Sequence, residues 1–114
     1  MVKRKDSVVP PPKVGGWDFR FASNDAGKGW GQRCAMAASN MRMAWERITT
    51  DPRQRDPRQH PLKGSLGQRS VNGKSLDQWQ YEVTGAGRIW YCIDDDTRTI
   101  WMTDASVGHP KATE

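Results

Sequence analysis

Residues 79–103, WQYEVTGAGRIWYCIDDDTRTIWMT, decide the fold of this chain. In the first two parts of the segment, large apolar side chains recur at every second position, which is the period of a half-buried β-strand. Glycines and aspartates interrupt the pattern at residues 85–87 and 94–97 and favour tight turns. A third, mostly apolar run follows at residues 99–103. The segment therefore predicts a three-strand antiparallel meander.

A further strand is predicted near the amino terminus. Trp17, Phe19 and Phe21 alternate with smaller or polar residues, which indicates a half-buried strand over residues 17–22. Ser-Asn-Asp at residues 23–25 then supplies side chains that cap helices. Glycines in the turns that follow are weak helix formers.

Apolar spacing after this point predicts a helix. Successive apolar residues lie 4, 3, 4 and 3 positions apart and so line one helical face: Cys34, Ala38, Met41, Trp45 and Ile48. We interpret this stripe as core. Ser-Asn at residues 39–40 is suited to cap a second helix, so a helical hairpin is an alternative to one rod.

The order of elements predicts the fold class. Residues 51–68 contain three prolines and are predicted to form an irregular loop. Strand, helices, loop and meander together imply an α+β domain. We expect an antiparallel sheet, made of one N-terminal strand and the C-terminal three-strand meander, packed against one or two N-terminal helices.

Length and composition indicate one domain preceded by a tail. The chain has 114 residues, which suits a single compact domain. Residues 1–16 combine a basic cluster with three consecutive prolines and two glycines, so we expect a disordered tail there. The domain is expected to occupy residues 17–114.

Composition also excludes several classes of protein. No apolar run approaches the roughly 20 residues that cross a bilayer, and no signal-peptide core is present. We therefore expect a cytoplasmic protein with no membrane partner. Cys34 and Cys92 are too few for a disulfide framework, and with His60 and His109 they lack the clustered spacing of zinc ligands. Neither a metal nor a cofactor is expected.

Charge points to an anionic partner. The formal net charge is +5, and the nucleotide-binding and hydrolase motifs of common small-molecule enzymes are missing. Clustered Lys and Arg in a basic domain are typical of nucleic-acid binding. The candidate nucleic-acid-binding residues lie on the loop and just beyond it: Arg53, Arg55, Arg58 and Arg69.

A second group of residues suits metal-free RNA cleavage, in which the 2′-hydroxyl attacks the adjacent phosphate. Arg88 opens a mostly apolar strand, where its guanidinium can present a bidentate fork to a phosphate. His109 titrates near neutral pH and suits an acid or base role, while Lys63 and Lys111 supply positive charge. Glu82 is a candidate partnering base, with a solvated position on the sheet as the alternative.

Four segments together resemble the RelE/ParE toxin superfamily, particularly its RelE-like and HigB-like branches: PLKGSLG at 61–67, WQYEV at 79–83, GAGRIWYCIDDDTRTIWM at 85–102 and GHPKATE at 108–114. The resemblance implies a RelE-like domain and the toxin of a type II toxin–antitoxin pair, commonly a ribosome-dependent mRNA endonuclease that inhibits translation. It also implies a cognate antitoxin and mRNA as partners.

The resemblance extends to individual positions. It implies that Arg88 is the family's phosphate-binding arginine and that Lys63 is the basic residue of its loop. His109 and Lys111 then occupy the terminal catalytic segment.

Two other functions stay open from the sequence. Gln80 and Glu82 stand where RelE-like nucleases usually carry basic catalytic residues, which favours a ParE-like toxin that binds DNA gyrase. A non-catalytic interaction module, basic because its partner is acidic, is the third interpretation.

Overall fold

The computed structural model describes residues 16–83 and 87–107. These residues form an α+β domain in which two helices lie against one face of a mixed six-stranded sheet. The predicted tail at 1–16 and the last seven residues of the predicted domain lie almost entirely outside the described residues. No helix in the described part of the chain is long and apolar enough to cross a membrane.

The elements follow the predicted order, with two strands that the sequence analysis does not contain. Their bounds are β1 (Asp18–Phe21), α1 (Asn24–Met36), α2 (Ala38–Thr50), β2 (Gln59–Pro61), a 3₁₀ helix (Gly64–Gly67), β3 (Gln68–Val71), β4 (Lys74–Glu82), β5 (Gly87–Asp94) and β6 (Thr99–Val107).

The predicted meander is confirmed and is longer than expected. Strands β4, β5 and β6 pair antiparallel in sequence order, and the sheet reads β1-β6-β5-β4-β2, with β3 also pairing with β4. All eight residues of β5 are buried. The turn predicted at residues 85–87 lies, except for Gly87, outside the described residues.

The expectation of a wholly antiparallel sheet is wrong at one pairing. The predicted N-terminal strand is present as β1, but it runs parallel to β6. A tight turn forces neighbouring strands to be antiparallel, whereas a long connection does not. The chain leaves β1 through two helices, so the strand that finally lies beside it is free to run in the same direction.

The predicted irregular loop at residues 51–68 is also wrong in part, because it contains β2 and the 3₁₀ helix. A buried glutamine organises this segment: the Gln59 side-chain amide donates to the hydroxyl of Tyr91 at 2.9 Å and to the carbonyl of Asp51 at 3.0 Å. The Asp56 carboxylate accepts from the backbone N–H groups of Arg58 and Gln59 at 2.8 and 3.0 Å. The polar composition of residues 51–68 therefore did not indicate that part of this segment is ordered.

The hairpin of β3 and β4 was not predicted, although the Asn-Gly pair at residues 72–73 is typical of a hairpin turn. Asn72 and Gly73 form its turn with φ of 53° and 82°. Positive φ at both central residues is the conformation of a type I′ turn, for which Asn-Gly is the preferred pair.

The helical stripe is confirmed only in its second half. Met41, Trp45 and Ile48 are buried, but Ala38 is exposed because the chain bends at Ala37 between the two helices. The helical hairpin is therefore the correct alternative. Its second helix begins before residues 39–40, so they do not cap it as expected.

Helix α1 begins where the sequence predicts and lies very close to β6. The Ser23 hydroxyl caps it by accepting from the Ala26 N–H at 3.1 Å. A Cβ at Gly29 would collide with the backbone carbonyl of Ala105 on β6, whereas a Cβ at Gly31 would meet nothing within 4 Å. Gly29 therefore permits the close approach of helix and sheet.

This contrast yields a matched pair of variants. We expect Gly29→Ala to lower the free energy of unfolding by about 1–2 kcal/mol, because a packed backbone must shift. Gly31→Ala is expected to raise it by about 0.5–1 kcal/mol through helix propensity. Urea unfolding of both variants measures the difference, and equal effects of the two substitutions would contradict the packing.

Candidate functional site

Two of the predicted catalytic residues lie opposite each other at one end of the sheet. Glu82 ends β4, Arg88 follows the first residue of β5, and the two are register partners. Nη1 of Arg88 lies 3.5 Å from Oε1 of Glu82 and donates to the Gly87 carbonyl at 3.3 Å. Arg88 is only 8% exposed. A carboxylate therefore already engages the guanidinium that the sequence assigns to phosphate binding.

The alternation of β5 decides which way this pair faces. Ile89 and Tyr91 pack into the main core with the helices, whereas Cys92 belongs to a second, smaller cluster on the opposite side of the sheet. Successive strand residues point to opposite faces, so Arg88 and Trp90 lie on the side away from the helices. We call this the site face, formed by His60, Gln80, Glu82, Arg88 and Trp90.

A hydrogen-bonded row crosses the site face beside the ion pair. Nε1 of Trp90 donates to Oε1 of Gln80 at 2.9 Å, and Nε2 of Gln80 lies 3.5 Å from Nε2 of His60. Nδ1 of His60 lies 3.1 Å from the Pro61 carbonyl. The sequence analysis missed His60 as a site residue, although it directly precedes the PLKGSLG segment.

Among the predicted binding residues, Arg58 lies at the same end of the sheet. Its Nη1 is 3.4 Å from the carbonyl of Glu82 and 3.3 Å from that of Val83, to which it donates. The Glu82 N–H donates to the Arg58 carbonyl at 2.7 Å. The Arg58 side chain therefore lies at the end of β4 on the helix side of the sheet, near Met43 and Arg47 of α2 and opposite the site face.

Lys63 lies at the border of the site face, whereas Arg69 lies on the same side of the sheet but towards its other end. Lys63 precedes the 3₁₀ helix, and Gln78, on the same face of β4 as Gln80, donates to the Leu66 carbonyl of that helix at 2.9 Å. Arg69 pairs in register with Leu76, which packs in the same cluster as Cys92. Both side chains are exposed, and within residues 16–83 and 87–107 neither forms an ion pair or a side-chain hydrogen bond.

Arg53, by contrast, lies at the other end of the sheet. Its guanidinium donates to the carboxylate of Asp95 at 2.6 and 2.9 Å and to that of Asp77 at 3.2 Å. The hydrogen bond to Asp95 raises the pKa of Arg53 most, with a further contribution from Asp77. Asp77 is five residues from Glu82 along β4, or about 17 Å. The structure therefore does not bring Arg53 to Arg88.

Of the remaining predicted residues, Arg55 lies in the described part of the chain, and His109 and Lys111 do not. Arg55 is exposed in the connection between α2 and β2, and its side chain has no ion pair or hydrogen bond to the described residues. Val107, the last described residue, pairs with Gly87 beside Arg88.

On the helix side of the same strand end lies a third arginine that the sequence did not single out. Arg33 of α1 is 5% exposed and packs directly over Gly87, where a Cβ would collide with its guanidinium. Its Nε and Nη2 have no hydrogen-bond partner among the described residues. Together with Arg58 and Arg88 it concentrates positive charge at this end of the sheet.

Neither cysteine is arranged as a nucleophile. Burial raises the pKa of the Cys92 thiol to about 12 and also raises that of the half-buried Cys34. A thiol with a raised pKa stays protonated and unreactive near neutral pH. In the described part of the chain, no group of three or more His, Cys, Asp or Glu residues is placed to hold a metal ion.

No protein-family model, curated protein or solved structure matches this chain. The function must therefore be argued from its own residues.

The ion pair makes a testable contribution to stability. We expect Glu82→Gln to lower the free energy of unfolding by about 1 kcal/mol, because it leaves a largely buried guanidinium without its carboxylate. In an Arg88→Met background, which keeps the apolar stem, the same substitution is expected to lower the free energy of unfolding by much less. Urea unfolding of the double-mutant cycle gives the coupling energy, about 0.5–1 kcal/mol for contacting residues. Additive effects would show that the two side chains do not interact.

Proposed function

We propose that this chain is the toxin of a type II toxin–antitoxin pair and that it cleaves mRNA in the cytoplasm without a metal ion, inhibiting translation. The observation that carries the proposal is the pairing of Arg88 with Glu82 at the end of two adjacent strands, with Lys63 at the border of the site face. Arg88, Glu82 and Lys63 come from the segments that resemble RelE-like and HigB-like toxins. The order strand, two helices and meander is also the order that the resemblance implies.

The electrostatics of the site face favour a phosphodiester. Arg88 is held by the sheet, and its guanidinium can exchange the Glu82 carboxylate for phosphate oxygens with the same charge-assisted geometry. Fixed cations lower the barrier by stabilising the charge that develops on the phosphate during attack by the 2′-hydroxyl. Arg88 therefore acts as the phosphate-binding catalytic residue.

Exposed cationic side chains at and beyond the border of the site face then hold the RNA backbone. Lys63, Arg55 and Arg69 keep their charges available to phosphates because no described carboxylate pairs with them. Such contacts add affinity that falls with rising salt and carries no sequence preference.

Expression in cells tests the proposal most directly. We expect the wild-type chain to arrest growth and produce new mRNA 5′ ends, and we expect Arg88→Ala to lose both effects because the phosphate loses its cation. Arg88→Lys keeps the charge but not the fork, and should retain partial activity. Arg42→Ala is the matched control, since Arg42 is exposed on α2 and pairs only with Glu46 on the same helix among the described residues.

The outcomes separate the alternatives. Folded Arg88→Ala that remains fully toxic would show that the assigned site is wrong. Growth arrest with intact mRNA and gyrase-dependent DNA breaks would select the ParE-like function. A wild-type chain that does not affect growth would favour the third interpretation, a non-catalytic interaction module.

The gyrase-inhibiting function is the second candidate, and the contacts of Glu82 and Gln80 favour it. The Glu82 carboxylate neutralises Arg88 at 3.5 Å, and Gln80 is engaged by Trp90 and His60. The site face thus carries less free positive charge than a nuclease with basic residues at those two positions.

Salt dependence of RNA binding tests the exposed cationic side chains. We expect Arg69→Ala to reduce the slope of log K against log salt by about 1, because one phosphate contact is lost. Arg53→Ala, a matched change of the same charge, should leave the slope unchanged since Asp77 and Asp95 already hold that guanidinium. Fluorescence anisotropy with a single-stranded RNA at several salt concentrations measures both. An equal loss of slope would show that the two arginines are equivalent for RNA.

A further inference from the structure

We propose that His60 is the residue that takes the 2′-proton, and that Gln80, anchored by Trp90, is a positioning residue that keeps Nε2 of His60 unprotonated. This inference rests on the proposed ribonuclease function. It assigns a base that the sequence analysis did not consider.

The directions of the hydrogen bonds across the site face determine which nitrogen of His60 carries the proton. The indole Nε1 of Trp90 can only donate, so the atom of Gln80 that faces it at 2.9 Å must be the side-chain oxygen. The amide nitrogen of Gln80 then points at Nε2 of His60, 3.5 Å away. An amide nitrogen can only donate, so Nε2 of His60 must accept.

The other ring nitrogen completes the assignment. Nδ1 of His60 faces the carbonyl of Pro61 at 3.1 Å, and a carbonyl can only accept, so Nδ1 carries the proton. Every donor in this row thus points from Trp90 towards Pro61. The row selects the neutral imidazole with a lone pair on Nε2, which is the state that a general base requires.

Register places this lone pair near the phosphate site. His60 lies opposite Gln80 on β4, and Glu82 is two residues further along the same face. Diagonal neighbours of this kind are about 7–8 Å apart. His60 is half-buried, so its ring stays in contact with solvent. Arg88 lies one strand further from His60, opposite Glu82, so an RNA phosphate bound by Arg88 is connected to the imidazole of His60 through the adjoining ribose.

Glu82 is less suited to the same task while it pairs with Arg88, because the guanidinium at 3.5 Å occupies a carboxylate oxygen that would have to accept the proton. The charged residues placed on this face around His60 are Glu82 on β4, Arg88 on β5 and Asp104 on β6, with Arg58 at the adjoining strand end.

The proposed step is a transesterification. The 2′-hydroxyl first replaces the Gln80 amide as the donor to Nε2 of His60, and this nitrogen then takes the hydroxyl proton as the 2′-oxygen forms a bond to phosphorus. The bond from phosphorus to the 5′-oxygen breaks, and that oxygen takes a proton from water. The products are a 2′,3′-cyclic phosphate and a 5′-hydroxyl, and the imidazolium of His60 returns its proton to solvent.

The tautomer can be measured on the free protein. Long-range ¹H–¹⁵N correlation spectra of labelled wild-type protein, recorded above the titration of the ring, are expected to show the Nδ1–H form of His60. Trp90→Phe removes the donor that orients Gln80, and we expect a mixture of the two tautomers in that variant. An Nε2–H form in the wild type would overturn the positioning role of Gln80.

Cleavage kinetics test the base. On mapped cleavage sites in translated mRNA or free RNA, whichever the wild type cuts, we expect His60→Gln to slow single-turnover cleavage by about 10²–10⁴-fold. Gln80→Glu presents an anion to the ring and favours its protonated form, so the acidic limb of the pH–rate profile is expected to move to higher pH. Gln32→Glu, which adds the same charge at an exposed position of α1, is the matched control and should leave the profile unchanged.

The possible results distinguish the two proposals. If the wild type cleaves RNA and folded His60→Gln cleaves it within threefold of the same rate, His60 is not the base and the ribonuclease function stands. If Gln80→Glu and Gln32→Glu have the same pH profile, Gln80 does not act on His60. If the wild type cleaves no RNA, the ribonuclease function fails and the role of His60 fails with it. Matched thermal midpoints of the variants exclude unfolding as the cause of any loss.

Discussion

The register between β4 and β5 constrains every other part of this molecule. Both faces of β5 are covered, so a shift of one residue would move Ile89 and Tyr91 out of the core and place Arg88 inside it. The cost of burying an unpaired guanidinium among apolar side chains excludes that alternative. The same register brings Glu82 opposite Arg88 and Gln80 opposite Trp90. Core packing and the composition of the site face are therefore set by one pairing.

The site that results is organised but partly neutralised. Arg88 is held by the sheet and by Glu82, which limits its motion and removes the need to order a flexible side chain when an anion binds. The carboxylate also lowers the attraction of the site for anions, so binding must replace one charge-assisted contact with another. Lys63 has no such competitor among the described residues, which makes the border of the site face more cationic than its centre.

Buried glutamines connect the polar segment after α2 to the sheet. Gln59 reaches Tyr91 on the helix side, while on the opposite side Gln78 donates to the Leu66 carbonyl at 2.9 Å and accepts from Thr103 at 2.6 Å. Hydrogen bonds are directional, so these contacts fix position more narrowly than apolar packing does, and Gln78 uses both its donor and its acceptor. These bonds place His60 and Lys63 beside β4 although the segment around them has almost no apolar core residues.

Local pattern alone determined the meander, the first strand, the helices and the α+β class, because period-2 and helical spacings record which side chains must be buried. The same pattern identified Arg88 and Glu82 as candidates, since both lie on strands with strong alternation. Tertiary structure alone decided that β1 runs parallel to β6, that Arg53 is held by carboxylates away from Arg88, and that His60 faces Gln80. Those outcomes depend on contacts between residues far apart in the chain, and the spacing of neighbours along a sequence does not record them.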